Sequence, residues 1–133
     1  MSQPRDAMPA PSVSVVPLRG GPPLPLAPDG GLASAAVWPG MGATLRSLNY
    51  LELSAGAGTV RLEHPSDSVY YVLAGAGQVV GDGPADVQEL IEGSMVHVDR
   101  GTGYRFQAGE DGMTLFGGPC PADPAMYNGY PQP

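Results

Sequence analysis

Val69-Tyr70-Tyr71-Val72-Leu73-Ala74-Gly75-Ala76-Gly77 is the stretch on which the reading of the fold turns. Its first five positions are β-branched, aromatic or branched-aliphatic, side chains that suit a pleated, half-buried surface. Gly75 and Gly77 close the run as a turn, and Gln78–Val80 continues a hairpin. Upstream lie strand signals at Thr44–Leu53 and Thr59–His64, separated by the turn Ala55-Gly56-Ala57-Gly58. Downstream, Asp82-Gly83 reads as a hairpin turn. It leads to Val87–Ile91, then Gly93, Met95–Val98, Thr102–Gln107 and Met113–Phe116. Turn signals spaced by roughly 8–12 residues predict an antiparallel barrel or sandwich.

Composition supports that architecture. The chain has 133 residues, enough for one domain. Its 20 glycines and 16 prolines oppose long helices, while 42% hydrophobic residues suffice for a small core. A net charge of −7 repels phosphate backbones, so nucleic acid is excluded as a partner. No apolar run reaches membrane-spanning length, so no membrane partner is expected. Met1–Ala10 lacks the cationic-then-apolar order of a secretory leader, and Cys120 is the single cysteine. The expectation is a cytoplasmic protein without disulfides. Prolines and glycines crowd the first thirty or so residues, which read as an arm, flexible over residues 1–12. Val13, Val15 and Val16 offer one short edge strand within it.

Two glycine frameworks carry a resemblance to the cupin superfamily, covering roughly residues 40 to 117. In the first motif of that family Gly56 and Gly75 match the two ends in register, and His64 falls on the second histidine. Leu62 occupies the first histidine position and Ser68 the glutamate position. In the second motif Gly93 and Gly101 match. Asp99 replaces the proline, Tyr104 the histidine and Ala108 the asparagine. The resemblance implies an all-β fold: a single cupin-like antiparallel β-barrel, or jelly roll, over 34–118. A Pro/Gly-rich arm over 1–33 precedes it and a Pro-rich extension over 119–133 follows it. Three histidines and a glutamate usually hold one divalent metal in this family, and of those positions only His64 is kept. Leucine has no donor atom, serine is a weak neutral ligand, and tyrosine must first lose a proton. No metal and no cofactor are therefore expected. A register shift would add Asp67 to His64 and Tyr104 as an irregular ligand set.

If the barrel is cupin-like, strand parity points Leu62, His64, Ser68, Tyr70, Val72, Tyr104 and Phe106 inward. Arg61, Glu63, Tyr71 and Arg105 then point outward. An apolar, aromatic chamber with a few polar groups suits a hydrophobic small molecule. His64 and Tyr104 are the expected acid–base pair. Leu62, Ser68, Tyr70, Val72 and Phe106 are expected to line the substrate site, with Arg46 to anchor an acidic group. His97 is expected on the outer side. The function expected is a metal-independent isomerase, cyclase or dehydratase (a lyase). The alternatives are a non-catalytic carrier or sensor, and a metal-dependent oxygenase. A homodimer is expected through Val13–Val16 and Trp38, which could instead close one end of the barrel.

Overall fold

The structure, a computed structural model, describes residues 11–130; residues 1–10 and 131–133, with most of the expected flexible extension, lie outside it. The described strands are β1 (Gly31–Val37), β2 (Leu48–Leu53), β3 (Asp67–Gly81), β4 (Val87–Ile91), β5 (Met95–Val98) and β6 (Tyr104–Cys120). Short 3-10 turns cover Pro39–Met41 and Pro124–Tyr127. Strand pairing is antiparallel throughout, in the order β1-β2-β6-β3-β4, with β5 also on β3.

β3 and β6 organise the molecule. They run for 15 and 17 residues and pair from Asp67↔Cys120 to Gly81↔Tyr104. Register shifts fall between Val72 and Ala74 and between Gly75 and Gly77, so both strands pass through two sheet halves. In one half, β6 pairs with β2 and β3 with β5. In the other, β3 pairs with β4 while β6 meets Gly58 and Leu62 by single bridges. Gly75 and Gly77 are therefore not the turn expected from sequence: the chain bends there and continues as one strand. Gly75 has φ +79, and a Cβ on it would overlap the Gly112 carbonyl oxygen. Glycine is required there by both conformation and space.

The core lies between the two halves. Leu51, Leu53, Val72, Phe106, Met113 and Leu115 are all at most 2% exposed. One seam of the structure is sealed by the proline-rich arm. Leu24 N–H donates to Ala33 O of β1 at 2.8 Å, and Val60 N–H donates to Leu26 O at 2.9 Å. Leu24 and Leu26 are buried, a contribution of about 2 kcal/mol each. The sheet itself is not closed: β4 and β5, the edge strands of the two halves, are not hydrogen-bonded to each other along a ladder.

Several local expectations differ. Thr59–His64 forms bridges rather than a strand, and β2 begins at Leu48 rather than Thr44. β1 starts at Gly31, inside the stretch read as the arm; its sequence Gly-Leu-Ala-Ser-Ala-Ala-Val has few of the residues that favour strands. Val13, Val15 and Val16 form no strand, and Val13 and Val15 are fully exposed to solvent. Trp38 closes one end of the fold. It packs on Tyr127 at a centroid distance of 5.2 Å and on Tyr130 at 5.8 Å. Among the described residues no helix is long and apolar enough to cross a membrane.

Candidate active site

Strand alternation sets the interior. Leu62, His64, Ser68, Tyr70, Val72, Tyr104 and Phe106 are all buried, whereas Arg61, Glu63 and Arg105 are exposed and Tyr71 is half-buried. Arg46 is not brought together with them; it is exposed on the stretch before β2. Asp67 is also exposed, on the face of β3 opposite Ser68, and accepts a hydrogen bond from Arg100 N–H. The register shift that would turn Asp67 inward does not occur at that position, since Asp67 stays paired with Cys120.

A hydrogen-bonded chain runs through the buried polar groups. His64 Nδ1 lies 2.7 Å from Asp123 Oδ2, His64 Nε2 3.0 Å from Tyr104 OH, and Tyr70 OH 2.7 Å from Tyr104 OH. An ionised Asp123 accepts only, so His64 Nδ1 carries the proton that faces it. With His64 neutral, Nε2 is then the acceptor and Tyr104 donates to it; Tyr104 in turn accepts from Tyr70. Burial and the nearby Asp123 push the Tyr104 phenol up to about 12, against the opposing hydrogen bond from Tyr70. Burial raises the Tyr70 phenol well above its ordinary range. Both phenols are neutral donors at physiological pH. Ser68 Oγ is buried beside Tyr104 and opposes the rise of its phenol.

Asp123 is the functional residue that the sequence reading missed. It lies in the Pro-rich extension over 119–133, and it is 7% exposed. Its second oxygen accepts from Ala125 N–H at 3.0 Å, capping the 3-10 turn Pro124–Tyr127. Tyr127, on that turn, is fully buried and donates to Asn49 Oδ1 at 2.7 Å. The tail is thus fixed at both ends of its turn, and that fixes the carboxylate against His64. The only local signal is the Asp-Pro step at Asp123, a frequent helix start.

Two hollows reach the chain of groups. The larger, about 390 Å³, opens at the unsealed seam between β4 and β5. Val79, Leu90, Val96 and Val98 give it apolar walls; Asp86, Gln88, His97, Asp99 and Thr102 are polar; Tyr104 borders it. Leu62, Ser68, Tyr70, Val72 and Phe106 do not line it; they pack the core behind it. A smaller hollow, about 200 Å³, is bordered by Leu26, Leu62, His64, Asp123 and Met126. Next to Tyr104, Gly103 lacks a side chain, and a Cβ there would overlap the Arg61–Asp82 ion pair. The Arg61 guanidinium crosses that spot to pair with Asp82 at 2.7 Å.

Known structures share this arrangement of strands. A cupin-like protein from Thermotoga maritima superposes with a TM-score of 0.59 at 19% identity, covering 65% of each chain. A cupin superfamily protein from Desulfitobacterium hafniense gives 0.58 at 14% identity, over 71% of this chain and 80% of that one. The chain has the cupin fold. A salicylate 1,2-dioxygenase from Pseudoaminobacter salicylatoxidans is also similar: TM-score 0.58, 28% identity, 67% of this chain but 24% of the dioxygenase. The matched part of this chain corresponds to about a quarter of the length of that enzyme. No protein-family model and no curated protein matches the sequence.

The metal that cupins usually carry does not fit the interior residues here. Leu62 offers no donor, and both nitrogens of His64 are engaged, by Asp123 and Tyr104. A buried imidazole with two partners, a serine and a neutral phenol do not make a stable ligand set.

Proposed function

We propose that this cupin is a metal-independent small-molecule enzyme of the isomerase, cyclase or dehydratase type, with proton transfer centred on Tyr104. The chain Tyr70–Tyr104–His64–Asp123, in which Tyr104 borders the cleft, supports this reading. Tyr104 Oη takes a proton from the substrate as its own phenol proton passes to His64 Nε2, and the reverse movement gives one back. His64 receives or returns the proton through Tyr104, and Asp123 holds the imidazole in one tautomer. Apolar Val79, Leu90, Val96 and Val98 beside polar Asp86, Gln88, His97, Asp99 and Thr102 suit a substrate with both an apolar part and polar groups. The cytoplasm and a homodimer, both expected from the sequence, remain part of this reading. Trp38, packed inside the chain, no longer argues for the dimer. Sedimentation at micromolar concentration tests that assembly, and a monomer removes it.

The test reads proton abstraction without knowing the product. Apolar ketones and aldehydes are incubated with the protein in heavy water, and NMR follows exchange of the protons next to the carbonyl. Tyr104→Phe and His64→Ala should each slow exchange by about a hundredfold while the fold persists. Full exchange in both variants rejects the assignment.

A non-catalytic carrier or sensor is the second reading, favoured by one observation. Tyr104 is 3% exposed, so its contact with a ligand requires movement of the cleft walls. A carrier would bind the same compounds without exchanging their protons. The oxygenase alternative has only the named activity of a longer, similar chain behind it.

A further inference from the structure

On the outer face of the β3–β5 pair, Asp67, His97 and Asp99 each place one ligand atom within 4.8 Å of the others. The register Ser68↔Val98 and Val69↔His97 brings the start of β3 alongside the end of β5. Asp67 Oδ1 accepts from Arg100 N–H at 2.9 Å, which holds the carboxylate in place. Its Oδ2 lies 3.8 Å from His97 Nε2, and Asp99 Oδ1 lies 3.6 Å from His97 Nδ1. Carboxylates on neighbouring strands repel each other unless a cation lies between them. Among the described residues neither Asp67 nor Asp99 pairs with an arginine, and the chain contains no lysine. The His97 ring is the side chain that faces both carboxylates, Nε2 toward Asp67 and Nδ1 toward Asp99.

We propose that Asp67, His97 and Asp99 form a surface site for a divalent first-row transition ion of the zinc type. Two carboxylates balance its charge, and a ring nitrogen provides the donor that such ions prefer over oxygen alone. Zinc–nitrogen and zinc–oxygen bonds of about 2.0–2.2 Å put two ligands at most about 4.4 Å apart. All three side chains are exposed, and small rotations of His97 and Asp99 toward Asp67 close the observed spacing to that value. Magnesium and calcium favour six or more oxygen ligands and are poorly served by one imidazole. The site is separate from the interior positions: Asp67 and Ser68 point to opposite faces of β3. His97 and Asp99 also border the cleft, so the ion sits at its lip. Nothing in this inference depends on proton transfer at Tyr104.

The test is calorimetric titration of Zn²⁺ into the metal-free full chain, with magnesium present in excess. Wild type should bind one ion per chain with micromolar affinity. His97→Ala and Asp99→Asn should each weaken binding by at least about tenfold, with unchanged circular dichroism. These exposed positions tolerate substitution, so folding does not confuse the outcome. Saturation only in the millimolar range overturns the site. A smaller loss than tenfold in the His97→Ala variant overturns it equally.

Discussion

Asp123→Ala removes one carboxylate that does two things: it accepts from His64 and it caps the 3-10 turn of the tail. A buried hydrogen bond to a charged group contributes about 1.5–3 kcal/mol, and loss of a cap costs about 1 kcal/mol. The two together predict a loss of about 3 kcal/mol. For a chain of this size each kcal/mol moves the midpoint by roughly 3–4 °C, so Tm should fall by about 10 °C. Asp123→Asn keeps one acceptor oxygen and puts an NH2 donor where the other stood, so it retains one of the two hydrogen bonds and its drop should lie between wild type and the alanine variant. The assay is thermal unfolding followed by circular dichroism, with His64→Ala and the double variant to close a cycle. Coupling between Asp123 and His64 should be about 1–3 kcal/mol. Additive effects, or an Asp123→Ala midpoint within about 2 °C of wild type, refute the picture of a tail clasped onto His64.

The remaining predictions concern the phenols and the backbone. Tyr104 has a folded pKa of about 12 against an ordinary 10.0, so the unfolded phenol gives up its proton first. Stability should hold below pH 10 and fall as pH rises from about 10 to about 12, with Tyr70 adding in the same direction; denaturant melts across this window check it. Gly75→Ala forces a side chain onto φ +79 and into the Gly112 carbonyl, so it should lower stability by about 3 kcal/mol or more, read from urea midpoints. Leu24→Ala should cost about 2–4 kcal/mol in the same assay, since Leu24 is a buried part of the arm that seals one seam.

The interior was legible because alternation is a local property. Once Leu62 and Tyr70 are set inward, neighbours two positions away follow, and no long-range knowledge is needed. The positions of β4 and β5 were legible for the same reason, bracketed by Asp82-Gly83 and Gly93. What escaped the sequence depends on contacts between distant segments. Asp123 meets His64 across 59 positions, and Tyr127 meets Asn49 across 78, with no periodic pattern in the proline-rich tail to announce either. Gly75 was misread because a glycine with positive φ looks the same in a sequence whether it reverses a chain or bends it. The location of the cleft was hidden too, because parity states which side chains face inward but not which of them meet tightly packed neighbours.

β4 and β5 flank the opening, and each hangs from β3 alone, by five and four register pairs. The aperture can therefore widen by peeling a short flap while β2, β6 and the aromatic interior stay intact. Amide exchange in such a flap follows local opening rather than global unfolding. A guest larger than the resting volume would enter by breathing at this rim, at a rate set by a few main-chain bonds.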